Sequence, residues 1–477
     1  MLDENLLLMT DSYKLSHYVQ YPRGTENVYS YLESRGGRFG QSVFFGLQYL
    51  LKKHFEGVVV IRWKINEAEQ LAKSHLGDNH TFNRAGWEYI IDAHGGKLPI
   101  RIKAAKEGSV IPVKNVLMTV EVTDPNVYWL TNYLETLLVQ LWYPITVATQ
   151  SWHMKGILLD YLRETGDESL IDFKLHDFGF RGVTCIEQAA IGGASHLVNF
   201  KGTDTIAGIL MAQRYYNSEM PGFSIPASEH STITSWGKEH ESCAMKNMLK
   251  QYPTGMVACV SDSFDIYNAC ENIWGDKLRM EITKREGTLV IRPDSGDPLV
   301  VLPRIMNILA DKFGTTTNDK GYRVLNPKVR VIQGDGIDFD TMPDILSILR
   351  QSGFSADNIA FGSGGGLLQK LNRDTMKFAF KCSSVVVEGE ERDVYKQPIT
   401  DAVKVSKKGR LKLVSYNGSH GNVYATERIS DSELPDEMDV VFENGVILRE
   451  QTFDDIRAKA NAGLNAARYM QYDFSGK

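Results

Sequence analysis

Four glycines fall within five positions of the segment AFGSGGGLLQKLNRD (residues 360–374), and two basic residues and an acid follow them. Glycines expose backbone N–H groups and permit positive φ, so such a loop can wrap closely around an anion. The segment matches neither the P-loop pattern nor the G-x-G-x-x-G pattern with its spaced acid. We predict a phosphate cradle at Gly364 and Gly365, followed by a helix from Leu367 whose positive end faces the same anion. A glycine-rich turn without a ligand is the alternative.

Charged residues close a series of apolar runs earlier in the chain. Taken singly, each is explained as a helix N-cap or as a hydrogen-bonded core residue. Taken together they predict a wet functional basin, because buried charge without compensation is too costly. Carboxylates bind ribose hydroxyls, whereas arginines and backbone N–H groups bind phosphate, so the predicted ligand is a phosphorylated sugar. The charged residues are Asp177, Arg181, Asp204, His230, Asp262, Arg292, Asp294 and Asp335.

Seven similar units would position these residues. In each unit a short apolar run ends in Asp, Gly, Ser or His, and a helical pattern follows it. Apolar strands joined by helices are typical of a parallel sheet, and so many units favour a (β/α) barrel with its chemistry at the carboxyl ends of the strands. The runs are FKLHDFGFRG, DTIAGIL, FSIPASEH, MVACVSDSFD, LVIRPDSGDP, VRVIQGDGID and IAFGSGGG.

The regions on either side have a different texture. The N-terminal part mixes helical stretches such as INEAEQLAKSHL with strand-like ones, and the C-terminal part reverts to strands and turns. We therefore expect an N-terminal α+β region (1–165), a barrel domain (166–378) and a C-terminal β-rich region (379–477) that packs with the N-terminal region.

Composition excludes several classes of protein. The net charge of −6 argues against general nucleic-acid binding. Five scattered cysteines without zinc spacing favour reduced thiols in a cytoplasmic protein. The first residues carry acids where a signal peptide needs positive charge. The most apolar region, VYWLTNYLETLLVQLWYPITVA, is interrupted by Asn, Glu, Gln and Pro, which favours a buried helix over a membrane span.

Eight motifs in order resemble those of the nicotinamide phosphoribosyltransferases, from about residue 9 to about residue 413. They are TDSYKLSHYVQYP, LHDFGFRG, NFKGTDT, IPASEHSTIT, SDSFDIYNAC, IRPDSG, VIQGDGID and AFGSGGGLLQKLNRD. The resemblance implies an α/β fold: an irregular (β/α) barrel of the type II phosphoribosyltransferase kind, flanked by a discontinuous α+β domain from the N- and C-terminal regions. It also implies a homodimer with shared active sites, and a pentosyl transfer that makes nicotinamide mononucleotide and pyrophosphate from nicotinamide and phosphoribosyl pyrophosphate in NAD salvage.

The resemblance also implies roles for individual residues. The pyridine ring would be bound by Phe178, Asp204, Arg292 and Tyr13 of the partner subunit. The ribose and its 5′-phosphate would be bound by Asp294, Gly334, Asp335, Gly364, Gly365 and Arg373. Pyrophosphate would be met by Arg181, His230, Arg292, Arg35, Lys381, Lys396 and Lys404, the last four from mobile or partner segments.

His230 has a separate role in the resemblance, because the matching histidine is phosphorylated by ATP. Imidazole can accept a phosphoryl group when it is neutral and oriented at its other nitrogen, and Asp262 is the candidate orienter. A histidine that only contacts pyrophosphate is the alternative. The catalytic residues implied are thus His230, Asp294 and Asp262. No carboxylate cluster typical of a dedicated metal site is evident, so we expect Mg²⁺ to arrive with pyrophosphate.

Two other functions remain open on the sequence. A nicotinate phosphoribosyltransferase would use a similar barrel, but the Asp204 carboxylate would repel nicotinate's negative charge. A non-catalytic binding protein of the same fold is the second alternative. A barrel isomerase or aldolase would need a Schiff-base lysine or a Glu/His pair at the strand ends, and neither is evident.

Overall fold

The structure is a computed structural model, and it describes residues 5–77, 81–400, 405–418 and 421–474. The chain divides into two units. The terminal unit consists of Met1–Thr149, Met211–Ser218 and Asn372–Lys477, and the barrel unit consists of Gln150–Leu210 and Glu219–Leu371. The domain boundaries expected after residues 165 and 378 stay predictions.

The strands, in chain order, are β1 (Thr25–Ser34), β2 (Gln41–Val43), β3 (Ile100–Ala104), β4 (Val110–Pro112), β5 (Val116–Val122), β6 (Leu175–Asp177), β7 (Gly202–Thr203), β8 (Thr254–Val260), β9 (Glu286–Arg292), β10 (Thr315–Thr317), β11 (Arg323–Leu325), β12 (Val329–Gln333), β13 (Ile359–Ser363), β14 (Phe378–Val387), β15 (Glu390–Asp393), β16 (Leu411–Gly418), β17 (Gly421–Arg428), β18 (Asp439–Glu443) and β19 (Val446–Ile447).

The helices are α1 (Leu47–His54), α2 (Arg62–Leu76), α3 (Arg84–His94), α4 (Leu130–Tyr133), α5 (Glu135–Leu138), α6 (Trp142–Thr165), α7 (Ile186–Leu197), α8 (Ile206–Tyr216), α9 (His230–Thr234), α10 (Glu241–Gln251), α11 (Ile266–Asn268), α12 (Arg279–Lys284), α13 (Pro298–Phe313), α14 (Thr341–Gln351), α15 (Gly365–Leu368) and α16 (Phe453–Phe474). A π-helix, Ala269–Lys277, follows α11 directly.

A seven-stranded sheet in the order β15-β14-β1-β5-β3-β18-β19 organises the terminal unit. Strand β1 pairs antiparallel with both β14 and β5, and the N-terminal strands β1, β5 and β3 lie between pairs of C-terminal strands in one sheet. Every residue of the central strand β5 is buried, as expected for a strand covered on both faces. Helix α16 (Phe453–Phe474) follows these strands, and the β-rich character expected of residues 379–477 stays a prediction.

The barrel unit contains a six-stranded sheet in the order β7-β6-β13-β12-β9-β8, and its paired strands are parallel. Residues 223–228 bond to both edge strands. The Thr203 N–H donates to the Phe223 carbonyl at 3.0 Å, and the Ala258 N–H donates to the Pro226 carbonyl at 2.9 Å. This irregular segment joins the two edges of the sheet, which confirms the predicted irregular (β/α) barrel.

The sequence placed two units of the barrel inaccurately, and one of them is FSIPASEH, whose residues form no regular strand. The run DTIAGIL was taken as the apolar strand, but the strand is Gly202–Thr203 and Ile206 already begins α8. Helices α13 and α14 follow strands β9 and β12, in agreement with the predicted alternation of apolar runs and helical patterns. Helix α13 begins at Pro298, and the Asp297 side chain caps it by accepting from the Leu299 N–H.

The most apolar region of the sequence forms several helices, namely α4, α5 and the first part of α6, where one buried helix was expected. Leu130, Leu137 and Leu138 are buried there. Among the residues that the structure describes, no helix combines the length and the apolar character that a membrane crossing requires.

Candidate active site

A cavity of about 690 Å³ opens at the carboxyl ends of the barrel strands. Loops that directly follow β6, β7, β9, β12 and β13 supply its walls. All of its lining residues belong to the barrel unit: Phe178, Phe180, Arg181, Gly182, Asp204, Thr205, Arg292, Asp294, Gly334, Asp335, Gly336, Ile337, Gly364, Gly365, Gly366 and Lys370. The structure thus brings nine of the predicted site residues to one basin: Phe178, Arg181, Asp204, Arg292, Asp294, Gly334, Asp335, Gly364 and Gly365.

The glycine loop forms one end of the cavity. Helix α15 begins at Gly365 with Gly364 as its N-cap, two residues before the predicted start at Leu367. A Cβ at Gly365 would meet no atom within 4 Å, so the backbone there borders open space. A Cβ at Gly366 would lie 2.6 Å from the carbonyl oxygen of Ile337, so that glycine permits the loop to pack on its neighbour. The loop is therefore both bare and fixed in place.

Phe178 forms an aromatic wall of the cavity. Its N–H donates to the Ser363 carbonyl at 2.9 Å, which ties the end of β6 to the end of β13. A Cβ at Gly362 would lie 2.0 Å from the Phe178 ring, so the ring occupies the space that a side chain there would need. The guanidinium of Arg292 lies 5.8 Å from the ring centroid. A flat ligand on this wall would find a cation nearby.

Asp204 lies beside this wall and is exposed to the cavity. Its N–H donates to the Asp177 carbonyl at 2.9 Å, and its carboxylate accepts from the Ser224 hydroxyl. A second, largely apolar cavity of about 410 Å³ shares Phe178, Asp204 and Arg292 with the first. The aromatic wall at Phe178 therefore lies where a polar and an apolar space adjoin.

Asp177 and His176 support this region without lining the larger cavity. Asp177 is fully buried, and its Oδ1 accepts from the Gly179 N–H at 2.7 Å. Burial raises the pKa of Asp177 to about 6. Asp177 was expected in the basin with the other strand-end charges, and that expectation was wrong. His176 contacts the Phe173 carbonyl at 3.0 Å and lines the apolar cavity, and burial lowers its pKa.

Arg292 and Asp294 form a bidentate ion pair at the tip of β9. The Nη2 of Arg292 lies 2.8 Å from both carboxylate oxygens of Asp294, and its Nε lies 3.0 Å from Oδ1. Side-chain exposure is 25% for Arg292 and 18% for Asp294, so the pair is partly desolvated. The planar guanidinium of Arg292 and the carboxylate of Asp294 thus hold each other in one orientation toward a ligand.

His230 and Asp262 form the predicted pair just beyond the cavity lining. His230 Nε2 lies 3.0 Å from Asp262 Oδ1, and Nδ1 lies 3.9 Å from Asp294 Oδ2. Ser295 Oγ donates to the other oxygen of Asp262 at 2.5 Å. The Asp262 side chain is 3% exposed and that of His230 is 45% exposed, so a fixed carboxylate holds an accessible imidazole.

The remaining predicted residues belong to the terminal unit. Tyr13 is 60% exposed in a 3₁₀ segment, Ser12–Val19. The pKa of Lys381 is lowered chiefly by burial and also by the nearby charges of Arg35, Lys396 and Arg373, whereas Glu135 raises it. These four cations therefore lie in one patch, which we call the terminal-unit cation patch. Lys404 lies outside the described residues.

Sequence reasoning missed several polar groups of the site. Ser224 bonds to Asp204, Ser295 bonds to Asp262, and Lys370 lines the glycine end of the cavity while it pairs with Asp338 at 3.3 Å. Ser295 follows Asp294 directly, so its place at a strand tip could have identified it. Across the described ranges, no group of three or more His, Cys, Asp or Glu side chains is arranged to hold a metal ion.

Comparison with known proteins agrees with this geometry. Residues 5–102 match the nicotinamide phosphoribosyltransferase N-terminal domain, and residues 173–446 match the nicotinate phosphoribosyltransferase family. A nicotinamide phosphoribosyltransferase of Xanthomonas campestris pv. campestris is 51% identical over 466 residues, which cover 96% of this chain and 98% of that protein. This chain belongs to the nicotinamide phosphoribosyltransferase family. A second member, from Acinetobacter baylyi, is 33% identical over 500 residues, with 95% and 97% of the two chains covered.

Solved structures with lower identity share the fold of this family member. The nicotinate-nucleotide pyrophosphorylase of Pyrococcus furiosus is 14% identical with a TM-score of 0.62, and 97% of this chain and 96% of that chain are covered. Human nicotinic acid phosphoribosyltransferase is 16% identical with a TM-score of 0.53, and the coverages are 96% and 94%. The α/β architecture predicted from the sequence is confirmed, and the family match continues past residue 413, where the motif resemblance ended, to residue 446.

Proposed function

We propose that this chain transfers the 5-phosphoribosyl group of phosphoribosyl pyrophosphate to nicotinamide in NAD salvage, giving nicotinamide mononucleotide and pyrophosphate. One observation carries the proposal. A single cavity presents a bare glycine loop at Gly364 and Gly365, carboxylates, and an aromatic wall at Phe178 with Asp204 beside it. These are the contacts that a phosphate, a ribose and a neutral pyridine amide need.

The ligand parts are assigned to the walls by their chemistry. The 5′-phosphate binds the backbone N–H groups of the glycine loop. The ribose hydroxyls donate hydrogen bonds to the carboxylates of Asp294 and Asp335, beside Gly334. The pyridine ring lies on Phe178, and its carboxamide NH₂ donates to Asp204. Pyrophosphate faces Arg181 and Arg292.

The reaction needs in-line geometry and stabilised charge more than it needs an acid or base. The pyridine nitrogen attacks C1 of the ribose, the bond from C1 to the pyrophosphate oxygen breaks, and pyrophosphate leaves with the electron pair. Arg181 and Arg292 stabilise the leaving group's charge. The product ring is cationic, so its contact with Phe178 strengthens during the reaction, on the order of 1–2 kcal/mol in a dry site.

Asp204 gives the proposal its selectivity for nicotinamide over nicotinate. A carboxylate that accepts from an amide NH₂ repels a carboxylate in the same position, at a cost of several kcal/mol when it is desolvated. The test measures kcat/KM for both bases in the wild type, in Asp204→Asn and, as a control for a carboxylate away from the ring, in Asp335→Asn. We expect Asp204→Asn to lower the preference for nicotinamide, by about tenfold or more. Asp335→Asn should lower both activities alike. Equal use of both bases by the wild type would refute the assignment and favour the nicotinate alternative.

We also propose that ATP hydrolysis is coupled to the reaction through His230. Because the Nε2–H donates to Asp262 at 3.0 Å, the neutral tautomer leaves Nδ1 with its lone pair. That lone pair attacks the γ-phosphorus of ATP, the bond to the bridging oxygen breaks, and ADP leaves with the electron pair. Water later hydrolyses the phosphohistidine.

The coupling is tested with γ-labelled ATP. We expect acid-labile label on the wild type, none on His230→Ala, and wild-type labelling of His240→Ala, since His240 is an exposed histidine outside the pair. Label that persists in His230→Ala would end the phosphohistidine hypothesis and leave His230 as a contact for pyrophosphate.

We propose Mg²⁺ as a cofactor that arrives on the pyrophosphate groups. The donor set fits this route better than a protein cage, because Asp294 is already paired with Arg292, and Asp262 accepts from both His230 and Ser295. When bound with pyrophosphate, the ion would neutralise charge on the leaving group.

We propose further that the enzyme is a cytoplasmic homodimer with shared active sites. The terminal-unit cation patch gathers Arg35, Arg373, Lys381 and Lys396, of which Arg35 pairs with Glu33 at 2.9 Å, and Tyr13 is 60% exposed. An anionic ligand at a partner subunit would satisfy the patch, and a pyridine ring would cover Tyr13. All five cysteines are free, as expected in a reducing compartment.

A further inference from the structure

Ser261 lies where the tips of β8 and β9 meet, directly before Asp262. Its Oγ accepts from the indole Nε1–H of Trp274 at 3.0 Å and donates to the Cys259 carbonyl at 2.9 Å. Its backbone N–H donates to the Arg292 carbonyl at 3.0 Å. Ser261 and Trp274 are both completely buried. One small side chain thus links both strand tips to a tryptophan in the core.

This link fixes the backbone that carries Asp262. The two oxygens of Asp262 accept from His230 and from Ser295, so its position sets the distance and angle to the imidazole. A small displacement of Ser261 would also move Asp262, the next residue, and so change the distance between Asp262 Oδ1 and His230 Nε2. The hydrogen bond to Asp262 selects which ring nitrogen of His230 carries the proton.

Trp274 comes from an unusual element. It lies in the nine-residue π-helix, in which turns are wider than in an α-helix, and the Leu278 N–H continues the pattern by donating to the Ile273 carbonyl at 2.8 Å. A Cβ at Gly275 would lie 2.8 Å from the Cys270 carbonyl oxygen, so glycine suits this backbone. π-helical turns are rare and recur at functional sites, because they place a side chain where an α-helix would not.

The helix that carries His230 rests on the same core. Ile233 of α9 is buried in one apolar cluster with Trp274. Ser228, two residues before His230, accepts from the Val260 N–H at 2.9 Å, and its own N–H donates to the Ala258 carbonyl at 3.1 Å. Both members of the His230–Asp262 pair are therefore fixed to β8, and the indole of Trp274 is hydrogen-bonded to Ser261 at the end of that strand.

We propose that Trp274 is a positioning residue for the His230–Asp262 pair. Its indole N–H holds Ser261, Ser261 holds Asp262, and Asp262 keeps His230 in the tautomer with a free Nδ1. The significance of a free Nδ1 for phosphoryl transfer rests on the proposed function. The positioning itself is a property of the protein without any substrate.

The first test compares Trp274→Phe with Trp87→Phe. Trp87 is also completely buried, but its indole N–H has no hydrogen-bond partner among the described residues, so its variant loses volume alone. Ring ¹⁵N chemical shifts of His230 report its tautomer. We expect the Nε2–H tautomer to dominate in the wild type and in Trp87→Phe, and both tautomers to be populated in Trp274→Phe. An unchanged tautomer in Trp274→Phe would overturn the proposal.

The second test separates positioning from general weakening of the fold. Loss of one buried hydrogen bond corresponds to about a tenfold change in rate. We expect Trp274→Phe to slow labelling of His230 by γ-labelled ATP about tenfold, and to change nicotinamide mononucleotide formation without ATP less than about twofold. If both rates fell in parallel with the thermal midpoint, as for a merely structural tryptophan, the proposal would be wrong.

Ser261→Ala provides an independent variant in case Trp274→Phe folds poorly. It removes the acceptor and leaves the indole in place. If the hydrogen bond acts as proposed, Ser261→Ala alone slows labelling, and the double variant is no slower than the slower single one. Additive effects would overturn the proposal. Absence of any label on the wild type would end the ATP part of the proposed function, and the tautomer measurement would still decide the role of Trp274.

Discussion

Gly362→Ala tests whether Phe178 is the wall on which the substrate ring lies. Gly362 is in strand β13 and has no positive φ, so alanine suits its backbone. The added Cβ would lie 2.0 Å from the Phe178 ring, whereas ordinary contacts begin at 3.4 Å. The ring must therefore move by the difference, about 1.4 Å, because strand β13 is hydrogen-bonded on both sides and cannot retreat.

The expected loss follows from that displacement. A misplacement of about 1 Å at a reacting centre costs about a hundredfold in rate, or about 2.7 kcal/mol. We therefore expect kcat/KM for nicotinamide to fall about a hundredfold, while KM for phosphoribosyl pyrophosphate changes much less, because the glycine loop at Gly364 and Gly365 is untouched. Steady-state kinetics with each substrate varied in turn would measure both.

Two further glycine variants serve as comparisons. A Cβ at Gly365 meets no atom within 4 Å, so Gly365→Ala should fold normally. It should weaken the binding of phosphoribosyl pyrophosphate and leave that of nicotinamide unchanged. A Cβ at Gly40 also meets no atom within 4 Å, and Gly40→Ala should change the binding of neither substrate. A folded Gly362→Ala enzyme with wild-type kinetics for nicotinamide would refute the role of Phe178.

Two other predictions concern Asp177 and the subunits. Burial raises the pKa of Asp177 from 3.8 to about 6. The contribution of Asp177 to the free energy of unfolding is therefore complete below pH 3.8 and is lost as the pH rises to 6. The loss over that interval is about 3 kcal/mol. Urea unfolding of Asp177→Asn and of the wild type measures the difference between their free energies of unfolding. That difference should favour the variant more at pH 8 than at pH 4, by about 3 kcal/mol. An equal difference at both pH values would contradict the assignment. If active sites are shared, His230→Ala and Lys381→Ala chains should complement each other after mixing and recover about a quarter of wild-type activity; a mixture no more active than its components would exclude shared sites.

The sequence predicted the barrel and most of its cavity for a simple reason. Parallel strands present their carboxyl ends at one edge, so charged residues that close successive apolar runs must converge. Asp204, Arg292 and Asp335 were placed correctly by that rule. The same rule failed for Asp177, because successive strand residues point to opposite faces and only Phe178 can face the cavity when Asp177 faces the core.

Other features depend on pairings that the sequence does not display. The space for Phe178 exists because Gly362 lies opposite His176 in the β6–β13 register, and only the folded sheet determines that pairing. Residues 223–228 join the two edges of the sheet through a few backbone hydrogen bonds without forming a regular strand. The π-helix at Ala269–Lys277 has no hydrophobic period of its own, so neither it nor the place of Trp274 could be read in advance.

The most direct measurement is a crystal structure of the enzyme with nicotinamide mononucleotide. We predict the phosphate on the backbone N–H groups of Gly364 and Gly365, the ribose hydroxyls on Asp294, and the pyridine ring on Phe178 with its carboxamide at Asp204. A nucleotide bound away from the barrel cavity, or bound in it with the phosphate at Asp204, would contradict the proposed function.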